Sequence, residues 1–250
     1  MKYYFRDNCR LCKSKKIEKV LKLNSTPPAD SYFNKPSSSL DVIPLELFYC
    51  NDCSNTQLGH VIDYQEVYLN YIYETESTHG LGSHFEKCAE IIVNKYKPEK
   101  SSLVLDIGSN DGILLKYFKD YNLEVLGIDP MPGIDQKAAK LGITTLSKFF
   151  DNNSVNFIKE KYQIPSIICA NNLVANIDDL DTFIDNVKSL MNEKTIFFFE
   201  TFYFYSQVLN NNWDFTYHEH SSYFTIKPLI KYFKNKDMQI IDVESNYTKG

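Results

Sequence analysis

No stretch of this chain stays apolar for the roughly 18 to 20 residues that a membrane span requires. The opening MKYYFRDNCRLC likewise holds no apolar core of a secretion signal. A cytoplasmic protein with no membrane partner is the expectation. A basic excess is missing too: 27 Lys and Arg stand against 32 Asp and Glu, for a net charge of -5. A chain that grips phosphate backbones normally presents a basic surface, so nucleic acid is not an expected partner. Internal repeats and long low-complexity tracts are also absent. With 43% hydrophobic and 24% charged residues the composition is that of a globular protein, not of a disordered, collagen-like or coiled-coil chain. At 250 residues, one large domain with a small appendage is expected.

What is present changes character along the chain. Prolines cluster at 27, 28, 36 and 44 beside Ser37, Ser38 and Ser39, in a segment that also holds four of the six cysteines. This segment reads as loop-rich. From about residue 79 onward, apolar runs of strand length alternate with amphipathic stretches, the pattern of a βαβ series with a mostly parallel sheet. Helices are expected over 80–97, 111–119, 134–141, 153–162, 179–191 and 226–235. Strands are expected over 103–108, 124–129, 143–146, 166–171, 195–201 and 239–245. The first helix places Phe85, Cys88, Ala89, Ile92 and Tyr96 on one face, and the fifth does the same with Leu180, Phe183, Ile184, Val187 and Leu190.

Cys9-x-x-Cys12 and Cys50-x-x-Cys53 are two pairs of the kind that supply four thiolates to one Zn²⁺. Disulfides rarely persist in a reducing compartment, which favours the metal over two bridges. Four sulfur ligands leave no open position, so the zinc is expected to be structural. Cys88 and Cys169 fall on apolar faces and read as small buried hydrophobes.

The segment LVLDIGSNDG sets Asp106, Gly108 and Gly112 in a D-x-G-x-x-x-G turn between a strand and a helix. Glycines there let a ligand approach the backbone at the carboxyl edge of a parallel sheet. The G-x-G-x-x-G spacing that seats a pyrophosphate is lacking. Asp129 ends the next strand, where a carboxylate can accept hydrogen bonds from a ribose diol. These features fit S-adenosylmethionine, which has a ribose and a charged amino-acid tail but no phosphate; a glycine turn with a capping Asp is the plainer reading. Asn110 in the turn and Asn171 at the end of the strand over 166–171 are counted with this set. Further on, WDFTYHEHSSYF (213–224) gathers Tyr217, His218, Glu219, His220 and Tyr223. A histidine held by a neighbouring carboxylate suits a general base. His-x-His without a third ligand is a weak metal signal, and an aromatic loop packed on the sheet edge is the plainer alternative.

Taken together, YLNYIYETESTHGLGSHF (68–85), VLDIGSNDGILL (104–115), LGIDP (126–130), ANNLVANIDDL (170–180), FFFET (197–201), YHEHSSYF (217–224) and the two cysteine pairs resemble the sugar C-methyltransferase family, whose members methylate nucleotide-linked keto-deoxysugars. The resemblance covers nearly the whole chain. It implies an α/β, Rossmann-like class I methyltransferase domain over 80–250, a zinc-binding module over 1–62 and a linker over 63–79. It implies S-adenosylmethionine and zinc as cofactors, a nucleotide-linked small molecule as acceptor, and His220 as base with Tyr217 and Glu219 beside it. Tyr73 and Ser77 would line the cofactor and substrate side. The chain departs from the family pattern in carrying Asn176 where a histidine is common. The family also continues past a segment like SNYTKG (245–250) into a further strand and domain, so this chain is expected to be shortened at its C-terminus. Two other readings stand beside carbon methylation: O-methyl transfer to another nucleotide-activated building block of a surface glycan, and a non-catalytic zinc-ribbon binding protein.

Overall fold

The computed structural model describes residues 2–29, 42–64, 68 and 79–246. The chain groups into two compact units. One comprises Met1–Val67, Val174–Asp181 and Thr201–Gly250, and the other Tyr68–Leu173 and Thr182–Glu200. Each is built on its own sheet.

The second unit is the βα series. Its strands β6 (Leu103–Ile107), β7 (Glu124–Ile128), β8 (Thr144–Leu146), β9 (Ile167–Cys169) and β10 (Ile196–Phe198) form a parallel sheet in the order β10-β9-β6-β7-β8. The chain starts in the middle, winds to one edge, then crosses back, so the strand order reverses between β6 and β9. In open α/β sheets ligands bind at that reversal, beyond the carboxyl ends of the strands. Helices α1 (Leu81–Tyr96), α2 (Ile113–Asp120), α3 (Ile134–Lys140), α4 (Asn152–Lys161) and α5 (Leu180–Ser189) connect or flank these strands.

The expected helical stripe is the buried one. Leu81, Phe85, Cys88, Ala89 and Ile92 of α1 join Val104, Leu114, Leu115, Phe118, Ile167 and Cys169 in one core cluster, with Tyr96 packed partly buried against it. At about 1.5 to 3 kcal/mol for each fully buried large apolar side chain, this face outweighs the modest intrinsic helix preference of its β-branched and aromatic members. Strand β6 is buried along its whole length, as a central parallel strand must be when both faces are covered.

In the first unit, β2 (Ile17–Thr26), β3 (Ile43–Cys50), β4 (Thr56–Leu58) and β11 (Ser222–Tyr223) form an antiparallel sheet in the order β11-β4-β3-β2. A hairpin-like pair joins β1 (Tyr3–Phe5) to β5 (His60–Ile62). The N-terminal segment is therefore strand-rich where loops were expected. Its described prolines sit at strand ends and irregularities. Pro27 and Pro28 follow the last residue of β2, and Pro44 lies in β3 where the β2–β3 register shifts between Leu23 and Thr26. A proline at such a shift costs the ladder little, because a hydrogen bond is already interrupted there.

The same unit holds α6 (Phe204–Asn210), α7 (Ile226–Asn235) and the segment 239–246. Residues 239–245 are not the expected strand. They pair with no strand among the described residues, and Ile241 and Val243 stand exposed, so an apolar alternation finds no ladder to complete it. The division also differs from the expected 1–62, 63–79 and 80–250. Strand β11 pairs with β4, Ser222 opposite Gln57 and Tyr223 opposite Thr56, which draws the segment after residue 200 onto the N-terminal sheet.

Candidate functional site

The strand-to-helix turn of the second unit runs from Gly108 to Gly112. Its position is set by Gly108 and Ser109, whose N–H groups donate to the Ile128 carbonyl at 2.8 and 3.3 Å. Gly108 has φ 74 and Gly112 φ 81, the left-handed region where a side chain is strained. A Cβ at Gly108 would also meet Leu173 at 3.2 Å, and one at Gly112 would meet Ile143 at 3.3 Å. A side chain at either glycine is thus strained by its positive φ, and its neighbour would have to give by a few tenths of an ångström.

Two carboxyls flank the turn. Asp129 Oδ2 accepts from Asn110 N–H and Oδ1 from Met131 N–H, each at 2.9 Å. Burial pushes Asp129 up while these two backbone donors pull it down. Asp106, only 4% exposed, is pushed up to about 8 by burial and then by the nearby charge of Asp129. A buried carboxyl that holds its proton near neutrality is poised to ionise when a cation arrives. Asn110 turns its side chain inward on the loop, where Oδ1 accepts from Asp111 N–H at 2.9 Å. At the end of β9, both Nδ2 and Oδ1 of Asn171 are enclosed with no hydrogen-bond partner among the described residues. An enclosed amide with four unused hydrogen-bonding positions is costly unless a ligand completes it. Glycine cradle, ionisable carboxyl and orphan amide together fit a ligand with a ribose and a cationic tail. Tyr73 and Ser77 lie outside the described residues.

A contact that sequence reading missed joins α1 to the end of β10. His84 Nε2 is 2.7 Å from Glu200 Oε1, and Cys88 Sγ is 3.3 and 3.6 Å from the same two atoms. These are three possible metal donors, yet two ligand atoms about 2.0 to 2.1 Å from one tetrahedral ion would be about 3.3 Å apart. The His84–Glu200 separation is that of a direct hydrogen bond, and the group is a clamp between helix and strand. The spacing of His84 and Cys88, four apart on one helical face, was its only trace in the sequence.

In the first unit, the sulfurs of Cys9, Cys12, Cys50 and Cys53 all lie within 4.8 Å of one another. The Cys9–Cys53 and Cys12–Cys50 separations are both 3.5 Å, near the roughly 3.8 Å edge of a tetrahedron with Zn–S of about 2.3 Å. The hydrogen bond with Cys53 pulls the Cys9 thiol down and holds Cys53 correspondingly up. The donor set is all sulfur and closed, which suits a structural zinc. Lys13 at φ 60 and Ser54 at φ 67 make the tight returns just after each pair, with their N–H groups donating to the Cys9 and Cys50 carbonyls at 2.9 and 2.8 Å.

Residues 217–224 of the same unit lead into β11. His220 Nδ1 is 2.9 Å from the Phe215 carbonyl, an acceptor only, so Nδ1 carries the proton and Nε2 is the proton-accepting nitrogen. The ring makes tilted contacts with Tyr217, with centroids 4.0 Å apart, and with Phe202, at 4.5 Å. His218 is set differently. It is fully buried, its Nε2 is 3.2 Å from the Ile43 carbonyl, and burial pushes its pKa down. That is a structural histidine. Glu219 is buried and Asn176, in a short 3-10 turn (Val174–Asn176), is buried as well.

Comparison with known proteins bears on both units. Residues 9–68 match a zinc-binding domain family. The C-methyltransferase NovU of Streptomyces niveus is 25% identical over 246 residues, 98% of this chain but 59% of NovU, so the chain spans about three fifths of that relative's length. Among solved structures, a chain of the complex between the Haloferax volcanii Trm112 methyltransferase activator and a methyltransferase superposes with TM-score 0.52 at 14% identity, covering 66% of this chain and 75% of that one. The plantazolicin methyltransferase BpumL, in complex with SAH, gives TM-score 0.48 at 12% identity over 61% of each chain. Residues 83–243, well over half of the 250, match the Methyltransferase domain family. The central reversing parallel sheet, its glycine turn and that match agree: this chain belongs to the Methyltransferase domain family.

Proposed function

We propose that this protein is an S-adenosylmethionine-dependent methyltransferase that alkylates carbon next to the carbonyl of a nucleotide-linked keto-sugar. The observation that carries the carbon assignment is His220, whose Nδ1–H is committed to the Phe215 carbonyl and whose Nε2 is thereby set to accept a proton. The 25% identity to a C-methyltransferase supports the same class of reaction.

On this reading Asp106, Gly108, Asn110, Gly112, Asp129 and Asn171 hold the cofactor, and Tyr73 and Ser77 are proposed to complete its side. Bound there, the cofactor supplies a methyl group on a sulfonium, an electrophile that needs no acid to activate it. His220 Nε2 removes the proton on the carbon beside the carbonyl. The C–H electron pair would move into the enolate, whose carbon would take the methyl as the sulfonium C–S bond breaks and its electron pair leaves on the thioether sulfur, while the proton stays on the imidazolium. Tilted ring contacts with Tyr217 and Phe202 restrain the imidazole through the transfer, and an aromatic face stabilises the cation that forms. Tyr217 can donate to the developing enolate oxygen. Glu219, buried and next to the histidine in the chain, is proposed to orient it.

The test is incubation of the protein with isotopically labelled S-adenosylmethionine and a set of nucleotide-linked keto-sugars, with mass spectrometry and NMR of the products. The expected product carries label on carbon adjacent to the carbonyl. Label on oxygen, or none on any nucleotide-linked acceptor, would overturn the reading.

A further inference from the structure

Arg10 sits between two thiols of the cluster, at the second position of Cys9-x-x-Cys12, and is fully buried. A guanidinium is among the costliest groups to remove from water, and one stays inside only where its donors and charge are met. Its contacts reach three separate pieces of the first unit. Nη1 donates to the Leu58 carbonyl at 2.8 Å and to the Ser221 carbonyl at 2.9 Å. Nε donates to Asp178 Oδ1 at 3.0 Å, and Nη2 pairs with the same carboxylate at 3.0 Å. The backbone N–H donates to Gln57 Oε1 at 2.7 Å, and Gln57 Nε2 returns a bond to the Asn8 carbonyl at 2.9 Å. Ser221 is the residue after His220. Its carbonyl also accepts from Leu58 N–H at 2.9 Å, and its hydroxyl bonds to the Tyr64 hydroxyl.

Asp178 is held as firmly. Arg6 donates to both of its carboxylate oxygens at 2.9 Å, and Tyr4 donates to it as well. Burial works to raise this carboxyl, and Arg6 and Arg10 outweigh it, holding it below the usual range. It belongs to the segment 174–181 that also carries Asn176.

We propose that Arg10 is a positioning residue that couples the metal site to the base: occupancy of the four thiols fixes the backbone of Arg10, and Arg10 fixes the Ser221 carbonyl and, through it, His220. The inference rests on His220 being the base. A metal shared by Cys9 and Cys12 locks the short turn between them, so the guanidinium leaves that turn at one angle. Without the metal the turn loosens, and the fork no longer meets the Leu58 and Ser221 carbonyls together. The planar, five-donor fork is what makes the coupling specific, since lysine could satisfy one carbonyl but not both carbonyls and the carboxylate.

The experiment combines Arg10→Gln and Arg10→Lys in the full chain with removal of zinc, and reads two quantities. The first is amide hydrogen exchange over 217–223. Zinc removal is expected to speed exchange there in the wild type. In Arg10→Gln exchange is already fast, and zinc removal adds little. The second is kinetics. Arg10→Gln is expected to lower kcat by about 10²-fold, the cost of misplacing a reacting group by about 1 Å, with cofactor affinity and acceptor KM nearly unchanged, and Arg10→Lys to recover only part. If zinc removal and Arg10→Gln speed exchange additively, or neither changes it over 217–223, the coupling is refuted. His220→Ala run alongside separates the two readings: normal turnover in that variant removes the base, whereas a large loss there with wild-type kcat in Arg10→Gln removes only the positioning role. Should Arg10→Gln fail to fold, Arg10→Lys carries both measurements.

Discussion

Replacing Asp129 with alanine tests the cofactor turn most directly, because the structure shows what that carboxylate already does before any ligand binds. It is 8% exposed and accepts one hydrogen bond on each oxygen, from Asn110 N–H and Met131 N–H. Deleting it leaves two backbone donors at the turn without their acceptor, at about 1 to 3 kcal/mol each where water cannot replace it. Water reaches part of the site once the side chain is gone, so a loss of about 2 to 4 kcal/mol in folding stability is expected. Asp129→Asn keeps one acceptor oxygen and should lose roughly half as much. The ribose contact is a separate quantity. A charged acceptor is worth about 1.5 to 3 kcal/mol, or about 10- to 150-fold in Kd. Urea denaturation measures the first and calorimetry with S-adenosylmethionine, well below the unfolding transition, the second. Stability within about 0.5 kcal/mol of wild type, typical of an inconsequential surface change, would refute the structural role of the two bonds. Unchanged affinity in the folded variant would refute the placement of the ribose.

His220→Ala should lower turnover by about 10² to 10⁴ with cofactor affinity retained, as loss of a general base does, while His218→Ala should show itself mainly in stability, since that ring is fully buried against the Ile43 carbonyl. Steady-state kinetics and melting of both variants check this. Metal analysis should find about one zinc per chain, held against mild chelation by a closed sulfur shell. Cys50→Ser should destabilise the first unit with S-adenosylmethionine affinity nearly intact, because the cofactor turn belongs to the other unit. Asp106 gives a pH signature. Its folded value of about 8 lies above the unfolded one, so the native state binds the extra proton. That contribution is complete below about pH 4 and is lost as pH rises toward about 8. Stability from urea titrations should therefore fall across that window, and Asp106→Asn should flatten most of the slope.

The order of residues was enough for the βα series, because burial on a parallel sheet imposes two periods that can be counted directly. Leu180, Phe183, Ile184, Val187 and Leu190 lie buried as their spacing implied. The glycine turn was legible for a related reason: a backbone that must adopt positive φ at Gly108 and Gly112 leaves its mark in residue type. The thiol cluster was legible because short spacing and sulfur chemistry leave few alternatives. Long-range pairing leaves no such local mark. Nothing in SSYF announces that Ser222 and Tyr223 would meet Gln57 and Thr56, and that ladder moves the histidine segment onto the N-terminal sheet. An apolar alternation such as QIIDV reads as a strand until the absence of a ladder partner decides otherwise. Arg10 is the plainest case. An arginine between two cysteines is by composition a surface residue, and only the folded chain, by bringing Leu58, Asp178 and Ser221 within 3.0 Å of one guanidinium, makes it a buried one. Periodicity and residue chemistry are local and survive in one dimension, whereas a buried charge is stable only where distant parts of the chain converge to meet its donors.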